Sequence, residues 1–354
     1  MAGLSVLLAV QLRGLLRELI ADEAATETAA WVAALSPPLL SYAGLIFTEV
    51  PAALGVTILL KYGRDAGALT ARRALGLGAL LAFLPWLNVR YAGLSAVLAL
   101  FVLASRPPVR RAGMLLLPPV VAAVALALYH QALYGFIDPR RVYGRRPEFA
   151  LQTLREGLPG LLLDQEFGLL VYAPVFVLAG AGIVALWRKD RRLALTAAVL
   201  VAFVLGTAGS WHMWRGGFNP PARFLVPIVP ILALGVAVAW TRGLSAPAAL
   251  LAGWGLWLGA VGVQEPRLFH RDRDGTAPVF RAVSGAEEWT RLLPGFVLED
   301  AQRTGLALTW GLALLLALPW RGAGRARGLA ASGVGLLVAA ATASTLSNAR
   351  TGGR

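Results

Sequence analysis

A short polar segment between two long apolar runs contains the residues best suited to chemistry. It spans residues 210–224, SWHMWRGGFNPPARF, and the apolar runs 193–209 and 225–240 flank it. Arginines so close to hydrocarbon are costly unless they meet an anion, a carboxylate or water. The tryptophans suit a membrane–water boundary, and the Gly-Gly and Pro-Pro pairs break helices. We interpret the segment as a polar cap between two membrane helices that faces a cavity; an aromatic belt with a tight turn is the alternative.

Two arginines and two carboxylates are the candidates for handling a phosphate and a proton. Arginine binds phosphate oxygens as a planar fork, so Arg90 and Arg223 are candidate ligands for a donor phosphate. A carboxylate can accept a hydroxyl proton, so Glu49 and Asp164 are the candidate catalytic residues. Glu49 is the better base because it stands between two apolar runs. The alternatives are that Arg90 extends to the lipid headgroups and that Asp164 caps the helix after it.

Aromatic and polar side chains of the cap are candidates for binding a sugar or an acceptor, because an indole ring can stack on a sugar face. They are Trp211, His212, Trp214, Arg215 and Asn219. For His212, the alternative is an interfacial hydrogen-bonding role. The predicted topology places three further polar residues on the same outer side: Asn88, Tyr91 and Glu166.

Composition indicates a helical membrane protein. Hydrophobic residues are 57% of the 354 and the mean hydropathy is +0.66, whereas soluble domains are about 45–50% apolar. The formal charge of +14 is largely explained by short basic loops, so nucleic acid is not expected as a partner. There is no cysteine, and the histidines (His130, His212, His270) are not at ligand spacing. The sequence therefore indicates neither a metal nor another cofactor, and it has no P-loop or GxSxG motif.

The apolar runs predict an all-α, polytopic bundle of about eleven or twelve short and kinked spans, counted by the ~20-residue criterion. We expect one transmembrane domain over 1–354, with extracytoplasmic loops at 135–167 and 264–303 and the short basic turns in the cytoplasm. The helical spacing of leucines predicts an amphipathic helix over 149–163 in the first loop. Residues 75–103 contain Pro85, Asn88 and Arg90 and predict two short helices. The expected location is a multi-pass protein of the inner or plasma membrane.

Four segments together resemble a known family. SPPLLSYAGLIFTEVPAAL, LPWLNVRYAGL, LLLDQEFGLLVYAP and WHMWRGGFNPPARFLVPIVP, in this order, resemble bacterial GT-C membrane glycosyltransferases, in particular the dolichyl-phosphate-mannose–protein mannosyltransferase-like group. The resemblance covers about residues 29–240, and the last two segments are the more specific. It implies a polyprenyl-phosphate-sugar donor, a glycan, lipid or protein acceptor at the extracytoplasmic face, and inversion at the anomeric carbon.

One feature of the family is missing from its expected place. In such enzymes an acidic residue in the first extracytoplasmic loop activates the acceptor, but here Asp22 and Glu23 fall on the predicted cytoplasmic side. We therefore expect either a chain that begins partway through the family's layout or a relative without transferase activity. The alternative functions are a transporter or flippase of lipid-linked sugars and an inactive membrane scaffold.

Overall fold

The fold is all-helical throughout the part of the chain that the structure describes. A computed structural model describes residues 1–65, 67, 69–139, 141, 150–269, 275–284 and 293–296, and these contain no strand. The expected all-α class is confirmed at this level. The apolar runs 304–320 and 328–346 and half of the second loop, 264–303, lie outside the described residues.

Fourteen α-helices are formed by the described residues. Several begin at a side-chain cap: Asp22, Thr70 and Asp190 each accept a hydrogen bond from the backbone N–H three residues later. In chain order the helices are α1 (Ala2–Leu19), α2 (Glu23–Leu35), α3 (Leu39–Tyr42), α4 (Glu49–Tyr62), α5 (Ala71–Leu87), α6 (Ala92–Leu103), α7 (Val109–Tyr134), α8 (Leu151–Leu163), α9 (Leu169–Tyr172), α10 (Leu178–Leu186), α11 (Arg191–Ser210), α12 (Val229–Ala239), α13 (Ser245–Gln264) and α14 (Pro278–Ser284).

Three helical stretches among the described residues are long and apolar enough to cross a membrane. They are Val109–Tyr134, Arg191–Ser210 and Arg223–Leu244. Shorter apolar helices, such as Val89–Leu103, fall below the ~20 residues that a span needs. The chain thus has the helices of a membrane protein, and the expected eleven or twelve passes stay a prediction.

One of these stretches is buried within the bundle and another is largely exposed. The apolar part of Arg223–Leu244 is 83% buried, whereas that of α7 is only 6% buried. The central stretch packs through α12 on α2, α4 and α10, while α7 packs mainly on α5. A helix that is apolar all round yet unburied suits a lipid-facing position.

Backbone contact between two helices sets the centre of the bundle. A Cβ built on Gly182 of α10 would lie 1.7 Å from the carbonyl oxygen of Gly235 on α12. Glycine at both positions lets the two backbones touch, as small residues do where membrane helices pack closely. This contact fixes α12 against α10. A 3₁₀ turn, Arg223–Ile228, connects α12 to the cap segment, residues 210–224.

The predicted cytoplasmic turns meet at one end of the bundle. Arg64 lies 3.9 Å from Asp190, Lys61 lies 3.9 Å from Glu18, and Arg192 Nη2 donates to the carbonyl of Arg64. We call this the basic end. The other end, where α4 begins and where residues 210–224 lie, we call the cap end; the length of α4 separates the two by about 20 Å.

The first long loop contains the expected helix, but with a different buried face. Helix α8 covers Leu151–Leu163. Its buried residues are Gly157, Gly160 and Leu161, so the face that packs against protein contains two glycines. A Cβ on Gly157 would lie 2.1 Å from the carbonyl oxygen of Gly209 in α11. Leu151, expected on the apolar face, is exposed, and Phe149 lies outside the described residues. Helix α8 is therefore held against α11.

Candidate functional site

Glu49 is the centre of the candidate site. It is the first residue of α4, where a carboxylate complements the positive end of the helix dipole, and it has no exposed surface. Its Oε1 atom accepts hydrogen bonds from Arg90 Nη2 at 2.6 Å and from Arg223 Nε at 2.8 Å. Both candidate phosphate ligands therefore meet at one carboxylate oxygen. We call these three residues the Glu49 cluster.

The break between α5 and α6 positions Arg90. Helix α5 continues through Pro85 and ends at Leu87, and Asn88 is extended. The Asn88 side chain accepts a hydrogen bond from the backbone N–H of Arg90 at 3.1 Å, which starts a short 3₁₀ turn. The expected division into two helices is confirmed, with the break at Asn88. This turn aims Arg90 inward, where its Nη2 also donates to the Tyr91 hydroxyl at 2.9 Å.

The cap segment positions Arg223 through two turns. Ala222 has a φ of +55°, a left-handed conformation that costs a non-glycine residue about 1 kcal/mol. Its N–H donates to the carbonyl of Phe167 at 3.0 Å, which holds it there. Arg223 Nη1 donates to the carbonyl of Gly216 at 3.1 Å. The Glu49 carboxylate and the Gly216 carbonyl, on two different segments, thus fix the direction of this guanidinium.

Aromatic rings flank both guanidinium groups. Arg90 lies over the Phe224 ring at 4.3 Å and Arg223 over the Phe47 ring at 4.3 Å. Such contacts are favourable for a cation, more so when water is displaced. The sequence analysis did not single out either phenylalanine. The available signal was their spacing, since Phe224 directly follows Arg223 and Phe47 stands two residues before Glu49.

The cluster carries one positive charge in excess, since two guanidinium groups face one carboxylate. The arginine side chains are 26% and 23% exposed, so they reach the surface from a buried carboxylate. Among the described residues Arg90 Nε is a buried donor without a hydrogen-bond partner. An excess cation at an ordered, partly desolvated position is what an anion-binding site needs.

Asp164 is placed in a different environment. It is fully buried; its Oδ1 accepts from the N–H groups of Glu166 and Phe167 at 2.8 and 2.9 Å, and its Oδ2 accepts from Phe296 at 2.6 Å. Burial raises the pKa of Asp164, while these three backbone donors and the Arg215 charge act in the opposite direction. The carboxylate joins the first long loop to the segment 293–296 of the second.

The tryptophans of the cap differ in what they contact. Trp214 is only 1% exposed; its ring packs against Phe167, and a Cβ on Gly160 would lie 2.3 Å from it. It presents no open face for the sugar expected there. Trp211 is half-buried and lies 5.3 Å from the Phe224 ring, next to the Glu49 cluster.

The remaining cap residues surround this arrangement. His212 is exposed beside Trp211, with the two rings 5.8 Å apart. Arg215 Nη2 donates to the carbonyl of Phe296 at 3.1 Å, and Asn219 Nδ2 donates to the carbonyl of Gly216 within the turn. Of the proposed sugar and acceptor ligands, Trp211 is therefore the one that contacts Phe224, a ring beside the Glu49 cluster, and Arg215 and Asn219 bind backbone.

The cavity and the charged cluster lie at opposite ends. A cavity of about 320 Å³ is lined by residues of the basic end, and none of them belongs to the Glu49 cluster. The geometry of the cluster, rather than this cavity, is the basis for the site. No group of three metal-ligating side chains occurs among the described residues.

Comparisons with known proteins supply no independent assignment. No protein-family model, curated protein or solved structure matches this chain.

Proposed function

We propose that this chain is a membrane glycosyltransferase that takes a sugar from a polyprenyl-phosphate donor at the extracytoplasmic face. The observation that carries the proposal is the convergence of Arg90 and Arg223 on Glu49 Oε1 at 2.6 and 2.8 Å. The resemblance of the four sequence segments supplies the reaction class. The proposed location is the inner or plasma membrane, crossed about eleven or twelve times by the ~20-residue criterion.

The charge of the cluster matches the donor and favours its breakdown. A polyprenyl-phosphate sugar is a phosphodiester with one negative charge, which equals the excess positive charge of the cluster. When the acceptor hydroxyl attacks the anomeric carbon, the sugar–oxygen bond breaks and its electron pair stays on the phosphate. The leaving polyprenyl phosphate is a monoester with a charge of about −1.5 to −2. Two arginines would stabilise the charge that develops on the leaving phosphate more strongly than the single charge of the bound donor. Such preferential stabilisation of the transition state is the condition for catalysis.

Glu49 has two roles under this proposal. Its Oε1 is occupied by both arginines, so in the resting geometry it holds them as a positioning residue. Its other oxygen, Oε2, lies 3.5 Å from Thr48 Oγ1. Under this proposal Glu49 Oε2 would take the proton of the acceptor hydroxyl. Because Glu49 has no exposed surface, that step requires the donor phosphate to draw an arginine away first. Asp164 is less suited, since both of its oxygens accept backbone N–H groups.

Transfer from a radiolabelled polyprenyl-phosphate sugar in membranes tests the proposal. R223A should abolish transfer, and R223K should restore little, because a lysine keeps the charge but loses the fork. R188A, at an exposed position of the basic end, is the matched control and should transfer normally. Transfer by R223A at the wild-type rate contradicts the role of Arg223. Movement of the donor across vesicles without a covalent product identifies a flippase instead.

A further inference from the structure

The cavity at the basic end has a composition that suits an amphiphile. It measures about 320 Å³ and lies where α1, α10 and α12 end. Its floor is apolar and includes Leu19, Leu186 and Val238, whereas Lys189 and Arg242 stand among its polar lining residues. An apolar floor with cations beside it offers separate surfaces to a hydrocarbon and to an anion.

The polar lining carries one positive charge in excess. Lys189 and Arg242 face one carboxylate, Asp22. That carboxylate is committed locally, because its Oδ1 caps α2 by accepting from the Ala25 N–H at 2.9 Å. Lys189 Nζ donates to the carbonyl of Leu19, which fixes the ammonium at the cavity wall. An ammonium has three donors, so further donors are available to a ligand.

We propose that this cavity binds the glycerophosphate headgroup of an anionic phospholipid in the leaflet at the basic end. The volume lies at the lower limit of ligand sites, about 300 Å³, and suits a headgroup rather than a nucleotide. Among the described residues that line it none is aromatic, so they offer no platform on which a nucleobase could stack. Basic pockets between membrane helices bind acidic headgroups.

Neighbouring charges increase the local concentration of such a ligand. The turn that bears Lys189 is RKDRR, residues 188–192, with four basic residues and one acidic residue. Exposed basic residues next to a bilayer raise the concentration of acidic lipids at its surface without choosing a binding position. They act on every anionic lipid, whereas Arg242 and Lys189 would select one position. The site lies at the opposite end from the Glu49 cluster and does not depend on the proposed transferase activity.

Native mass spectrometry of the full-length protein in a neutral detergent tests the site. The probes are dioleoyl phosphatidylglycerol, dioleoyl phosphatidylcholine and, as a free phosphate ester, glycerol 3-phosphate. The variants are R242Q, R242K and the charge-matched control R188Q, all at exposed positions. Loss of one charge-assisted hydrogen bond should weaken phosphatidylglycerol binding about tenfold in R242Q. R242K should retain most of the affinity, and R188Q should bind like the wild type.

The outcomes separate a built site from general attraction. Binding weakened equally by R188Q and R242Q, or phosphatidylcholine binding as tight as phosphatidylglycerol binding, overturns the proposal. Glycerol 3-phosphate adducts that R242Q removes support the site and identify a soluble phosphate as a second source. Phosphatidylglycerol binding that depends on Arg242, without glycerol 3-phosphate adducts, supports a lipid as the source. The monodisperse elution of each variant on size exclusion checks that it is folded.

Discussion

Arg223 and Glu49, 174 residues apart in the chain, form a 2.8 Å ion pair whose carboxylate is completely buried. Arg90 shares the same oxygen. This relationship makes the cap segment and the start of α4 one structural unit. It also means that a change at any of the three residues alters both stability and the charge available to a ligand.

Replacing Glu49 by glutamine should destabilise the protein by about 3 kcal/mol, because two arginines lose the charge that balances them. The lower part of the usual range applies, since the arginines are about a quarter exposed. Thermal unfolding in detergent measures this. E18Q is the control, because the Glu18 side chain is 48% exposed and lies 3.9 Å from Lys61, so its loss should change the midpoint little. Equal effects of E49Q and E18Q would show that the cluster is not a buried ion pair.

The contact between α10 and α12 should be intolerant of a single methyl group. G182A places a Cβ 1.7 Å from the Gly235 carbonyl oxygen, so the helices must separate at a cost of about 1–3 kcal/mol. Gly180, on the same helix, has nothing within 4 Å of its built Cβ, which makes G180A a matched control. Thermal midpoints of the two variants provide the comparison. A G182A variant as stable as G180A would contradict the observed packing.

Asp164 should give the folding stability a defined pH dependence. Since burial raises its pKa in the folded state, its contribution is fully present below the ordinary aspartate pKa and is lost as the pH rises through the raised value. D164N removes this titration and should flatten the stability curve over that interval. Chemical unfolding at a series of pH values measures the slope. A slope that is the same in wild type and D164N excludes Asp164 as its source.

The two cap tryptophans should respond differently to truncation. W214A removes a fully buried ring and should cost about 3–5 kcal/mol of stability. W211A removes a half-buried ring beside Phe224 and should mainly lower sugar transfer, with a smaller loss of stability. Unfolding midpoints and transfer rates of the two variants separate the effects. Loss of transfer in W211A together with an unfolding midpoint as low as that of W214A would contradict this division.

The sequence predicts which charged residues lie on the same side of the bundle, but it does not predict which residues the individual aromatic rings contact. Arg90, Arg223 and Glu49 were predicted to face one side because the positive-inside rule orders the loops, and the structure brings the three together. The burial of Trp214 could not be predicted, since it depends on Gly160 from another loop coming within contact distance. The amide partners of Asp164 include Phe296, 132 residues away, and no spacing in the sequence signals such a pairing.

The exposure of α7 has a consequence for anyone who purifies this protein. The apolar stretch of α7 is only 6% buried, and within the described residues it packs mainly on α5, so most of its surface is left to the surrounding hydrocarbon. Harsh, short-chain surfactants should therefore strip it away before the central bundle opens, whereas nanodiscs should keep it in place. The choice of amphiphile thus decides whether α7 stays packed on α5 in a preparation.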